Sequence, residues 1–326
     1  MGIGIVSVGS YLPERVMTNE DWAKLIATSD AWITERTGIK KRHFAPDGVN
    51  TSDLVLRAAA QALQRANLRP QDLTEIIVAT DTPELYTPDT AALVQHKLGA
   101  KEIPAYDLAG SGCAGFVQAL SVARSRVMSE GGKILVAGVE LLSRLMNWKD
   151  RNTCVLFGDG AGAAIVTETK KASEILSTYA GTDGSKADIL GLYVGGTRTP
   201  ITAEIASDPS YPPVVMKGKE VFREAVIRMT QASKIVLEKA RVRLEEIALV
   251  VPHQANLRII QAVAETLNVS MEKIYVNVHD YGNTGSASVP IALDEALQKG
   301  RVKPGDLVLL TSFGAGFHWA AAVLRL

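Results

Sequence analysis

Residues 62–80 read ALQRANLRPQDLTEIIVAT, and residues 236–252 read VLEKARVRLEEIALVVP. Each runs from the end of a helical pattern, through a basic and polar turn, into a short apolar strand. The correspondence continues in order along the chain. IPAYDLAGSGCAGFVQAL (103–120) aligns with IYVNVHDYGNTGSASVPIAL (274–293), GKILVAGVE (132–140) with GDLVLLTSFG (305–314), and GDGAGAAIV (158–166) with FGAGFHWAAAVL (313–324). Chance produces one such match among apolar strands; four in the same order argue for one unit written twice. Short apolar strands such as EIIVAT and KILVAGV alternate with amphipathic segments, as in an α/β protein with buried, mostly parallel strands. The expected organisation is two related halves, 1–172 and 173–326, with the join near 168–180.

The second matched pair carries chemistry. Cys113 lies between the apolar strand IPAYDLA and a helical pattern in which Phe116, Leu120, Ala123 and Val127 recur. A cysteine at that junction meets the N–H groups and positive end of a helix, which favour thiolate, the reactive form. Its partner turn is Gly282-Asn-Thr-Gly-Ser-Ala-Ser288. If the halves pack about a pseudo-twofold, the two turns meet and Asn283 projects toward Cys113, within about 10 Å for a shared site. His253 follows the strand IALVV, at the strand end where α/β proteins place ligand-facing groups. A capping or core histidine is the alternative there.

Cysteine, histidine and asparagine together suggest covalent acyl chemistry. The thiolate takes an acyl group, while histidine and asparagine donate hydrogen bonds to an oxygen gaining negative charge. The same residue types also serve thiol proteases, so spacing and fold must separate the two. His43, His96, His279 and His318 show no metal-ligand spacing, and no metal is expected. Cys154, in the apolar run NTCVLFG, reads as packing. Gly158-x-Gly160-x-Gly162 precedes a strand rather than opening a helix, so it reads as close backbone packing and not as a dinucleotide fingerprint.

The chain has 326 residues, 47% hydrophobic, with 35 basic and 35 acidic side chains. That balance points to neither nucleic acid nor membrane surfaces. Two cysteines make no disulfide framework, which suits a reducing compartment. The opening MGIGIVSVGSYLPE lacks the basic start and long apolar run of a signal peptide, and Val6 breaks the myristoylation pattern. A cytoplasmic protein is expected.

WITERTGIKKRH (32–43), TPDTAALVQHKLGA (87–100), GCAGF (112–116), FGDGAGAA (157–164), VPHQANLRII (251–260), YGNTGSASVPIAL (281–293) and SFGAGF (312–317) together resemble the β-ketoacyl-acyl carrier protein synthase III family of the thiolase superfamily. The likeness covers nearly the whole chain. It implies a thiolase-like five-layered αβαβα fold with two pseudo-twofold-related halves, the first carrying the nucleophile, the second the histidine and asparagine. It implies a homodimer working on acyl-CoA and acyl carrier protein without cofactor or metal. Cys113 would accept the acyl group. His253 and Asn283 would bind the malonyl thioester carbonyl and stabilise the enolate formed on decarboxylation. The N–H groups of Cys113 and Ala315 would form the oxyanion hole. Trp32, Arg36, Arg151 and Asn256 match coenzyme A contacts, Arg223 and Arg258 a patch for the acidic carrier protein, and Phe313 a phenylalanine beside the catalytic residues.

Three departures stand out. Gly110-Ser111-Gly112 replaces alanines common before the cysteine, and Asn283 is followed by Thr-Gly-Ser where Thr-Ser-Ala is commoner. Thr87 stands where short-chain enzymes often have Phe, on a loop that the resemblance sends into the partner's acyl pocket. The expectation is tolerance for primers longer than acetyl or propionyl, or branched. Rival readings within the fold are ketosynthase III-like enzymes or acyltransferases of secondary metabolism, head-to-head condensing enzymes, and hydroxymethylglutaryl-CoA synthase with Glu84 as acid/base. A cysteine hydrolase and a non-catalytic scaffold are the rivals from other classes.

Overall fold

The computed structural model describes residues 2–169, 173–208 and 214–326. The first half contains β1 (Gly2–Tyr11), β2 (Arg15–Thr18), β3 (Lys41–Phe44), β4 (Glu75–Thr80), β5 (Ala105–Ala109), β6 (Lys133–Leu141) and β7 (Asp159–Thr169). The second contains β8 (Glu174–Thr182), β9 (Leu190–Leu192), β10 (Val214–Met216), β11 (Ile247–Pro252), β12 (Leu307–Gly314) and β13 (His318–Arg325). β2 pairs with β3, and β9 with β10, as small antiparallel ribbons.

Two main sheets repeat one topology. The first runs β1-β7-β6-β4-β5, and the second runs β8-β13-β12-β11. β4 is parallel to β5 and β6, while β7 is antiparallel to β6 and β1. Correspondingly, β11 is parallel to β12, while β13 is antiparallel to β12 and β8. A parallel bridge from Val250 to Ile274 stands where the first sheet has β5. All four matched sequence blocks thus occupy equivalent places. The division at 172/173 falls beside residues 170–172, which lie outside the described residues.

Period-two alternation on buried strands sorts the core into layers. On β4, Ile77 and Ala79 face a central cluster, while Ile76 and Val78 face an outer one. The central cluster holds Phe116, Val117 and Leu120 of the helix Gly115–Glu130, and Val289, Ala292 and Leu293 of the helix Ser288–Gln298, between strands of both sheets. The helix Thr51–Ala66 covers the far face of the first sheet through Leu54, Val55 and Ala58. Gly218–Ala240 and Leu257–Leu267 cover the second through Met229, Val236, Ile260 and Val263. Helices, sheet, helices, sheet, helices make the five layers. No helix among the described residues is long and apolar enough to cross a membrane.

Candidate active site

Cys113 occupies the turn Gly112–Ala114, between the end of β5 and the helix Gly115–Glu130. The turn Gly285–Ala287 stands at the same place before the helix Ser288–Gln298. Gly112 and Gly285 share φ of +56°. The two turns meet: Cys113 Sγ lies 4.0 Å from Asn283 Oδ1.

Each polar group is fixed from behind. Gly285 N–H donates to Asn283 Oδ1 at 2.8 Å, which settles the amide orientation and leaves Nδ2–H as the free donor. His253 is 4% exposed, and its N–H donates to Thr311 O at 2.8 Å. Its Nδ1 lies 2.6 Å from Ser288 Oγ, and Gln254 N–H donates to that same oxygen at 3.4 Å. A Ser288 hydroxyl that donates to Nδ1 places the ring's own proton on Nε2. Burial pushes the imidazole down to about 3, so it stays neutral. In that tautomer His253 is a neutral Nε2–H donor.

Opposing influences act on Cys113. The helix end favours thiolate, yet burial, then the charges of Asp81 and Glu140, push the thiol well above its ordinary range. The Asn283 side chain and the Cys113 backbone N–H act in the opposite direction, favouring the thiolate.

Gly314 packs on the Cys113 turn so closely that a Cβ there would meet Cys113 N at 2.2 Å; one on Gly112 would meet Ala315 N at 2.5 Å. Both amides proposed for the oxyanion hole thus sit at one crossing of the two halves. Cys113, Asn283, His253, Phe313 and Ala315 line a cavity of about 990 Å³. Its remaining wall is largely apolar, including Leu142, Leu145, Leu156, Phe157, Leu190, Ile201 and Phe222.

Trp32, Arg36 and Arg151 cluster outside that wall. Arg36 Cζ lies 4.6 Å and Arg151 Cζ 4.8 Å from the Trp32 ring centroid. Asn256 lines the cavity and donates from Nδ2 to Arg36 O at 3.1 Å, so it links cluster and cavity. It also caps the helix Leu257–Leu267, accepting from Arg258 N–H at 2.8 Å. Arg223 and Arg258 are exposed, each next in sequence to a cavity-lining residue, Phe222 and Ile259. Thr87 is exposed and does not line its own chain's cavity, although Glu84, Leu85 and Tyr86 of the same loop do. Glu84 is engaged by Ser52, whose N–H donates at 3.1 Å, and by Lys97 at 3.8 Å.

Cys154 is fully buried in an apolar cluster, its thiol pushed up to about 12 by burial. Gly160 and Gly162 lie on β7 against Ile291 and Pro290, the close packing their spacing suggested. Three residues around the site escaped the sequence reading: Ser288, Asp81 and Glu140. Asp81 and Glu140 stand at the C-terminal ends of buried strands, the position that drew attention to His253, and that was the signal available.

A duplicated α/β fold that presents a cysteine, a histidine and an asparagine to one apolar cavity defines a thiolase-fold acyltransferase. Residues 106–184 match the family described as 3-oxoacyl-[acyl-carrier-protein (ACP)] synthase III, and residues 237–326 match its C-terminal region. The chain is 47% identical to the β-ketoacyl-[acyl-carrier-protein] synthase III of Caldanaerobacter subterraneus subsp. tengcongensis, covering 99% of this chain and 97% of that protein. The crystal structure of the 3-oxoacyl-[acyl-carrier-protein] synthase III of Aquifex aeolicus superimposes with a TM-score of 0.91 at 46% identity, over 100% of both chains. That of Thermus thermophilus gives 0.92 at 45% identity, over 99% of each. The chain belongs to the 3-oxoacyl-acyl carrier protein synthase III family.

Proposed function

We propose that the protein condenses an acyl-CoA primer with malonyl-acyl carrier protein, with loss of CO₂, to give the 3-oxoacyl-acyl carrier protein that starts fatty acid synthesis. The observation that carries this reading is the convergence of Cys113, Asn283 and His253 on one apolar cavity, with Asn283 Nδ2–H and His253 Nε2–H left as free donors.

The reaction divides into two halves. Cys113 Sγ attacks the acyl-CoA carbonyl, the C–S bond to coenzyme A breaks, and the thiol proton leaves with coenzyme A. The malonyl thioester then places its carbonyl oxygen between the His253 and Asn283 donors. Loss of CO₂ leaves the bonding electrons on the α-carbon as an enolate, and those two hydrogen bonds stabilise the charge as it develops. The carbanion attacks the acyl-Cys113 carbonyl, whose oxyanion takes hydrogen bonds from Cys113 N–H and Ala315 N–H. Collapse expels the Cys113 thiolate, which regains a proton. Decarboxylation itself generates the nucleophile, so the chemistry calls for neither metal nor redox cofactor. A neutral His253 suits this role, since a donor is required rather than a base.

Trp32 with Arg36 and Arg151 offers a stacking face and two guanidinium groups for the adenine and phosphates of coenzyme A. Arg223 and Arg258 give the rim positive charge for the acidic carrier protein. We read residues 1–172 and 173–326 as the two halves, the working form as a homodimer, and the location as cytoplasmic, where the Cys113 thiol stays reduced. Intact mass spectrometry after incubation with acyl-CoA, then malonyl-acyl carrier protein, tests the reading. It expects an acyl adduct on Cys113, absent in Cys113→Ala, that discharges with CO₂ release into a 3-oxoacyl-carrier product. Discharge to water alone would move the protein to the hydrolases.

A further inference from the structure

Arg42, on β3, is 0% exposed, and the chemistry above does not use it. Its hydrogen-bond partners among the described residues are neutral. Nη1 donates to Asn19 Oδ1 at 2.7 Å and more distantly to Met17 O at 3.4 Å, while Nη2 donates to Val155 O. Nε is buried with no partner among the described residues. A guanidinium buried against neutral acceptors carries a desolvation cost that hydrogen bonds offset only in part. What its planar fork supplies is a hold in two fixed directions at once.

One direction leads to the cluster of Trp32, Arg36 and Arg151. Asn19 is 0% exposed, and its Oδ1 is taken by Arg42. Its Nδ2 donates to Asp30 Oδ1 and Ile39 O, both at 2.8 Å, and to Thr34 Oγ1 at 3.3 Å. Asp30 and Thr34 belong to the helix Asp30–Thr37, which carries Trp32 and Arg36.

The other direction leads to Asn283. Val155 begins the segment that clasps it: Asn283 N–H donates to Leu156 O at 2.8 Å, and Gly158 N–H donates to Asn283 O at 2.9 Å. The Arg42 stem packs on the same place. A Cβ on Gly158 would meet Arg42 Cβ at 3.2 Å, and one on Gly282, the residue before Asn283, would meet it at 3.4 Å.

We propose that Arg42 is a positioning residue that fixes the helix bearing Trp32 and Arg36 and the backbone of Asn283 against one another. Its Asn19 arm sets where the stacking face and guanidinium groups stand. Its Val155 arm sets where Asn283 Nδ2–H points. Primer capture and enolate stabilisation, at opposite ends of the site, thus depend on one buried side chain that lines neither.

This rests on the functional reading for the roles of the two ends, and its test separates the arms. Asn19→Asp keeps an acceptor for Arg42 and removes the donors to Asp30 and Ile39 O. Its KM for acyl-CoA should rise about tenfold, while primer-free decarboxylation of malonyl-acyl carrier protein holds at the wild-type rate. Arg42→Lys keeps the charge and loses the fork, so KM should rise and decarboxylation fall, each by about tenfold. A role in stability alone would lower the melting temperature and leave both readouts of folded protein unmoved. Folded Arg42→Lys protein with wild-type KM and decarboxylation overturns the proposal. So does Asn19→Asp protein whose KM holds, or whose decarboxylation falls in step with it. If neither buried variant folds, the exposed Asp30 gives the readout: Asp30→Ala removes the acceptor of Asn19, and Asp30→Asn restores it. A KM raised several-fold in the first and not in the second supports the proposal, and equal values overturn it. Wild-type protein that forms no acyl adduct on Cys113 refutes the functional reading instead, whereas a variant result against intact wild-type activity refutes the Arg42 proposal alone.

Discussion

Ser288 decides what His253 can offer. Its hydroxyl lies 2.6 Å from Nδ1, and by donating there it leaves the ring proton on Nε2, the nitrogen free to meet a substrate oxygen. Ser288→Ala removes that constraint and lets the ring adopt the tautomer that presents a bare Nε2. Loss of one donor at a developing oxyanion costs about 10²–10³ in kcat, and a ring still free to adopt either tautomer should lose less, about tenfold. The expected result is slower malonyl decarboxylation with primer transfer to Cys113 intact, read by separate assays of CO₂ release and acyl adduct. His253 also leaves a mark on stability. The unfolded chain takes up a proton near the ordinary value of 6.5, while the folded ring resists until about 3. Between those values the unfolded state binds more protons, so stability falls as pH drops from 6.5 toward 3. His253→Asn removes this contribution, and thermal melts from pH 7 to 4 should show a shallower acid decline in the variant than in wild type.

The strand-to-helix turn is the element that builds this site, and the chain uses it twice. Gly112 and Gly285 each adopt φ +56°, where an L side chain costs about 1–2 kcal/mol. Their surroundings differ, because a Cβ on Gly112 would strike Ala315 N at 2.5 Å, and one on Gly285 would strike Glu140 Cγ at 2.4 Å. Gly112→Ala therefore displaces one oxyanion donor, and acylation of Cys113 should fall by two orders of magnitude or more on the scale of one lost donor. Gly285→Ala pushes against a side chain instead, so acylation should survive while condensation drops; both variants should melt several degrees lower. Mass spectrometry and calorimetry check the pair. These turns were legible in the sequence because glycine clusters between an apolar strand and a helical pattern announce them, and the duplication announced that they would meet. The acids and Ser288 were not legible. Ser286 and Glu140 are 146 residues apart, and His253 and Ser288 35 apart, so their meaning exists only once β6, β11 and the helix Ser288–Gln298 are packed together. The carboxyl groups that oppose the helix end at Cys113 were hidden for the same reason.

At the scale of the whole molecule, the duplication explains why the site has an acyl-accepting side and a carbanion-forming side, one from each half. It does not by itself say how long a primer the cavity takes. The cavity measures about 990 Å³ with an apolar wall of Leu142, Leu145, Leu156, Phe157, Leu190 and Ile201. That lining favours an extended hydrocarbon chain over acetyl, at about 0.8 kcal/mol for each methylene buried. Eight- to twelve-carbon acyl-CoAs should therefore acylate Cys113 faster than acetyl-CoA, and equal or slower transfer would contradict it. Thr87 separates the monomer from the dimer in this argument. It is exposed and does not line its own chain's cavity, so Thr87→Phe has no direct means of narrowing a monomer's preference. In a homodimer whose Thr87 segments reach each other's cavities, the added ring occupies the far end of the partner's pocket. The variant should then lose long primers selectively while acetyl transfer holds. A long-primer profile unchanged by Thr87→Phe, in protein that sediments as a dimer, would show that the loop stays on its own subunit and that the chain-length limit is set by the apolar wall alone.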